Sequence, residues 1–199
     1  MERPQTGGSI NMLTAAQIAR LISCGEMAWD GELRGDALLL RLGAPLQNLV
    51  CADPPNIVDL ADQDSISSLY GPAQPRWSSY DLKPHQLALC PASQSLRLGA
   101  GLVGAIASLS HLARVGLATH ITSPWVLAGW NGHLTLELKN HGPATLRIYR
   151  NMPVARLVLF RMAGPLTAAK PHPYYGTDAD SSHLGSRFAD EFAADQYRR

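Results

Sequence analysis

Apolar and polar positions alternate most regularly between His133 and Lys139. On an extended chain Leu134, Leu136 and Leu138 fall on one side, and Thr135, Glu137 and Lys139 on the other. The pattern predicts a strand with its leucines in a core. Near the N-terminus the period is different. Ile18, Leu21 and Ile22 recur at helical spacing, Thr14 stands at the N-cap position and Gly25 at the stop, so a short helix is expected from Ala15 to Ile22. Residues 52–80 are polar and carry Pro54, Pro55, Pro72 and Pro75, which predicts a long surface loop with short strands. From Gln94 to Gly104 the chain supplies another strand and a Gly-rich connection. Gly99, Gly101 and Gly104 spell a turn and not a phosphate loop, because no Gly-Lys-Ser/Thr follows. Beyond Asn140, Leu146–Ile148 and Met152–Phe160 read as further strands. Many short strands with Gly, Pro and Asn turns and almost no helix predict a mainly β fold, a distorted jelly-roll-like barrel with a short N-terminal helix.

Composition narrows this. A chain of 199 residues suits one domain, 1–199, with a substantial core, and 46% hydrophobic against 17% charged residues marks it as globular. Residues 1–10 are expected to form a flexible leader and 176–199 a mobile tail. A net charge of +1 gives no electrostatic reason to expect nucleic-acid or membrane binding. No apolar run approaches the ~20 residues of a membrane-spanning helix, and Met1-Glu2-Arg3-Pro4 does not begin a signal peptide. The three cysteines, Cys24, Cys51 and Cys90, are odd in number and far apart. That fits reduced thiols in a cytoplasmic protein better than a disulfide framework.

The stretch from Ser108 to Asn140 carries the chemistry. Ser110, Leu112, Ala113, Arg114, Gly116 and Leu117 are followed by His120, Thr122, Gly129, Trp130, Gly132, Leu136, Glu137 and Asn140. In that order, without a gap, they resemble the motifs of the dCTP deaminase family of the dUTPase superfamily. The likeness extends to the early helix, to the strand Leu38–Gly43, to the turn and strand Leu82–Leu89, and to the turn Arg150-Asn151-Met152. Asn151 suits the left-handed position of that turn, where the family has Gly. His85 also stands where the family has Gly, so its turn must tolerate a side chain.

The resemblance implies a dUTPase-like β-barrel assembled as a homotrimer, with sites at subunit interfaces and a pyrimidine nucleotide or nucleoside as partner. It implies that Ser110, Arg114 and Glu137 carry zinc-free deamination of a cytosine ring. Glu137 would be the general base, Ser110 would hold the water, and Arg114 would keep the carboxylate ionised or stabilise charge developing on the ring. The same three residues are open to a bland reading, with Arg114 and Glu137 as an interface ion pair. No metal is expected: Cys-x-x-Cys and His-x-Glu are both absent, and His111, His120 and His133 lack a ligand spacing. Magnesium would enter only with a triphosphate substrate.

Substrate contacts are expected from His111, His120, Thr122, Ser123, Trp125, Leu127, Trp130 and Tyr174. Several of these depart from the family pattern. Leu109 and Trp125 stand where the family has phosphate-facing arginines, His111 where it has a second Ser, and Leu127-Ala128 where it has Asp-Pro. The stretch from Tyr174 to Asp180 is acidic where the family has a Lys-Tyr-x-x-Gln lid. Three readings stay open: a deaminase of a different cytosine-type substrate, an ordinary dCTP deaminase with unrecognised phosphate contacts, and an inactive trimer serving as a nucleotide-binding, regulatory or interaction module.

Overall fold

A computed structural model describes residues 11–50 and 57–163. The expected leader 1–10, the tail 176–199, Tyr174 and Cys51 lie outside these residues. In chain order the elements are α1 (Ala15–Ser23), β1 (Ala28–Trp29), β2 (Leu38–Arg41), β3 (Gln47–Asn48), α2 (Gln63–Ser67), β4 (Ser79–Leu82), β5 (Leu87–Arg97), β6 (Leu102–Ser108), α3 (Ser110–Ala113), β7 (Leu117–Ala118), β8 (Trp125–Val126), β9 (Asn131–Asn140), β10 (Leu146–Tyr149) and β11 (Pro153–Arg161).

The fold is mainly β, with a short helix near the N-terminus. One sheet runs β1-β5-β9-β7, with β3 also on β5; a second runs β2-β11-β6-β8; β10 and β4 form a separate ribbon. The pairings are antiparallel. The alternation in β9 does what its spacing requires, since Leu134, Leu136 and Leu138 are buried. They meet Ala88, Cys90, Ala92 and Leu96 of β5, and Leu38, Leu40, Leu157 and Leu159 of the second sheet, in one apolar core.

Helix α1 closes one side of that core. Gln17 N donates to Thr14 Oγ1 at 3.3 Å and Thr14 N donates to Gln17 Oε1 at 2.9 Å, a reciprocal cap that satisfies two otherwise free donors. Ile18 and Leu21 are buried, and Gly25 leaves the helix at φ 77°.

Two expectations need correction. Residues 52–80 hold more than a loop with strands: Asp62 caps the helical turn α2, which is anchored by buried Ile66. Gln94 does not open a new strand. It continues β5, which passes through Pro91 by shifting register against β9 between Pro91 and Ser95. The two non-glycine turn positions behave as their residue types require: His85 has φ 62° and Asn151 φ 64°. No helix among the described residues is long and apolar enough to cross a membrane.

Candidate functional site

Glu137 lies on the face of β9 opposite the leucines, directly across from Leu89 of β5, and is half-buried. The segment after β7 grips it twice. Its main-chain N donates to Thr119 O at 3.1 Å, and its Oε2 accepts from Ile121 N at 2.8 Å. Thr119 is itself fixed. Its side chain is fully buried, Thr119 N donates to Ser108 Oγ at 3.1 Å, and the two hydroxyls share a hydrogen at 2.7 Å. The end of β6 therefore holds the segment that holds the carboxylate. A single backbone donor on Oε2 leaves the rest of the carboxylate free to accept from water or substrate.

Ser110 and Arg114 come from a different place. Leu109 N donates to Val154 O of β11 at 3.0 Å, and the chain then makes the one-turn helix α3. Leu112 packs on the core, while Ser110, His111 and Arg114 face solvent. Gly116 ends the turn at φ 91°, where a Cβ would lie 2.4 Å from Gly142 N. Both the conformation and the close approach call for glycine. Next to it Asn140 is fully buried, with Nδ2 donating to Leu82 O and Ala144 O and Oδ1 accepting from Gly142 N. Asn140 is a clamp between three turns.

Among the described residues the ion pairs are Arg41–Glu32, Arg147–Asp81 and Arg161–Glu26. Arg114 and Glu137 form none within one chain, and no hydrogen bond joins Ser110 to Glu137. The fold presents the carboxylate on one sheet and the Ser–Arg pair on an exposed turn.

The expected substrate contacts divide in the same way. His120 stands between the two residues that grip Glu137 and is half-buried; its Nδ1 is shielded from solvent and unpartnered. Thr122 and Ser123 are exposed on the following loop. Trp125 (61% exposed) and Leu127 (51%) flank buried Val126 on β8, the edge of the other sheet. There the Trp125 ring packs on Phe160 at a centroid distance of 6.4 Å. Trp130 is half-buried against the core, and its Nε1 donates to Gly132 O. His133 Nδ1 lies 3.0 Å from Ala92 O, so that ring serves the scaffold.

Sequence reasoning passed over Ser108 and Thr119. A hydroxyl residue at the end of each of two short strands was the available signal, but their contact is made only in the folded chain. The described residues contain no group of His, Cys, Asp and Glu able to hold a metal ion. Burial pushes the Cys90 thiol up to about 12, which makes it a poor ligand or nucleophile because the thiolate is the active form.

Comparison with known proteins adds to this geometry. A family profile described as dCTP deaminase-like matches residues 12–162. A "dCTP deaminase, dUMP-forming" from Nocardia farcinica is 32% identical over 125 residues, 63% of this chain and 60% of the relative. One from Methanoregula boonei is 29% identical over 133 residues, 67% of this chain and 68% of the relative. The chain thus spans about 60% of the Nocardia relative's length. Among solved structures, the 2'-deoxycytidine 5'-triphosphate deaminase from Agrobacterium tumefaciens superposes with a TM-score of 0.57 at 16% identity, over 77% of this chain and 49% of that one. At that identity the likeness supports the fold.

Proposed function

Since the chain belongs to the dCTP deaminase-like family, we propose that it is a zinc-independent hydrolytic deaminase of a cytosine nucleotide, or of a related nucleoside or modified base, with Glu137 as general base. The supporting observation is the placement of Glu137. A half-buried carboxylate is held by the Ile121 N–H, forms no ion pair among the described residues, and keeps accepting capacity free.

The chemistry follows from the groups. Water bound to the free carboxylate oxygen attacks ring carbon C4, and Glu137 takes its proton. A C–O bond forms as Glu137 passes that proton to N3; it then carries the second water proton from the new C4 hydroxyl to the amino group, and the C–N bond breaks to release ammonia and leave the C4 carbonyl. Cytosine becomes uracil. Ser110 positions the water, and Arg114 stabilises the negative charge of the attack.

Ser110 and Arg114 are exposed and out of hydrogen-bonding contact with Glu137 in the single chain. We therefore place the complete site between copies, in a homotrimer that brings α3 of one chain to β9 of another. Zinc has no part in this scheme, because the sequence lacks the Cys-x-x-Cys and His-x-Glu pattern of zinc deaminases.

The test is ammonia release from cytosine compounds by the wild type and by Glu137→Gln. Turnover in the wild type and its loss in the variant support the proposal. Turnover undiminished in Glu137→Gln removes the base assignment, and no turnover with any compound favours a binding module.

A further inference from the structure

The stretch that supplies both halves of the candidate site is nearly free of charge. From Ser108 to Leu138 its only Lys, Arg, Asp or Glu residues are Arg114 and Glu137, although charged residues make up 17% of the chain. With neutral histidines the charges of these two residues cancel. The loop that donates to the carboxylate is apolar or hydroxylic where it meets solvent. Ile121 is 45% exposed, Thr122 and Ser123 are exposed, and Trp125 and Leu127 lie beyond them.

Among the described residues, three cations outside the stretch are engaged elsewhere. Lys139 Nζ donates to His85 O, Arg147 is held by Asp81 and Arg161 by Glu26. Arg114 is the one guanidinium the stretch offers, and the reaction itself uses it. A polyphosphate carries several negative charges and is normally met by several cationic groups, because each charge-assisted contact must offset the desolvation of the anion.

We propose that the substrate of this site is an uncharged cytosine nucleoside and not a nucleoside triphosphate. This rests on the deaminase reading given above. Arg114 and Glu137 serve the ring, and the sugar lies against a neutral surface of hydroxyl and apolar groups.

The experiment measures ammonia release by the wild-type protein with cytidine, 2'-deoxycytidine, dCMP and dCTP, magnesium present, at low and high salt. The expected result is a kcat/KM for the nucleosides at least equal to that for dCTP, with little salt dependence. A dCTP value about tenfold or more above that of 2'-deoxycytidine, falling as salt rises, overturns the neutral-substrate inference and leaves the deaminase reading standing. Ammonia from none of them overturns both.

Adding charge gives the reciprocal arm. Leu109→Arg combined with Trp125→Arg should raise dCTP kcat/KM by roughly tenfold or more, the worth of a charge-assisted phosphate contact. Thr122→Lys, at an exposed loop position, serves as a second variant that does not disturb α3 or β8. No gain in either, with both folded, contradicts the claim that missing charge sets the preference.

Discussion

Glu137 and Asn140 lie three residues apart on β9, and both fall on the same family motif, yet they live in opposite conditions. Asn140 is fully buried and its side chain makes three hydrogen bonds, to Leu82, Ala144 and Gly142. Glu137 is half-buried and its carboxylate receives one, from Ile121 N. The same contrast holds for their surroundings. The turns around Asn140 close tightly, down to the Gly116–Gly142 approach, while the loop around Ile121 leaves apolar side chains and a His120 nitrogen without partners. A buried polar group with every bond made stabilises a scaffold. A polar group with free capacity is available to a ligand. One motif therefore holds a structural residue and a chemical one, and their hydrogen bonds tell them apart.

The contrast breaks most sharply at Glu137. Glu137→Gln keeps the side chain's shape and an acceptor for Ile121 N but removes the base, so turnover should fall by about 10²–10⁴ with thermal stability little changed. Arg114→Ala should reduce turnover comparably, and its exposed position predicts little loss of stability. Steady-state kinetics beside thermal melts of the same samples check both.

At Asn140 the opposite signature is expected. Asn140→Ala strands two carbonyls and an N–H in or near the core, and should cost about 3 kcal/mol or more in urea denaturation. Gly116→Ala meets Gly142 at 2.4 Å and holds a side chain at φ 91°, for a loss of about 2 kcal/mol or more. Activity per folded molecule should fall less in these variants than in Glu137→Gln.

A smaller effect concerns pH. The Cys90 thiol, buried on β5 beside Leu136 of β9, is raised from 9.0 to about 12, chiefly by burial. The unfolded chain then loses this proton at a lower pH than the folded one. The sign is fixed: the contribution is constant below about pH 9 and lost as pH rises toward 12. Cys90→Ala should show a shallower fall in stability over that window than the wild type, measured by denaturation at stepped pH. An identical slope would mean that the thiol is not shielded.

Much of this was legible in the sequence because it is local. The N-cap Thr14, the alternation of β9 and the left-handed His85 and Asn151 each depend on residues close along the chain. Helix α2 was not legible, because Asp62 and one buried Ile66 sit within a polar, proline-rich stretch. The length of β5 was hidden by Pro91, which interrupts the ladder without ending the strand. The site was half legible. Its motif picked out Glu137, but the Ser108–Thr119 contact that supports it is a product of folding. So is the location of Trp125 on the other sheet, against Phe160. The resemblance placed the sites at subunit interfaces, and within one chain Arg114 and Glu137 form no ion pair among the described residues.

That separation makes the central claim testable in a direct way. If the site joins α3 of one copy to β9 of another, two inactive variants should repair each other. Glu137→Gln and Arg114→Ala chains, co-expressed and purified as mixed assemblies, each retain the residue the other lacks. Random mixing in a closed ring predicts recovery of about a quarter of wild-type turnover, because a site works only when an intact Glu137 meets an intact Arg114. Mixed assemblies of confirmed composition that release no more ammonia than either variant alone would contradict the account.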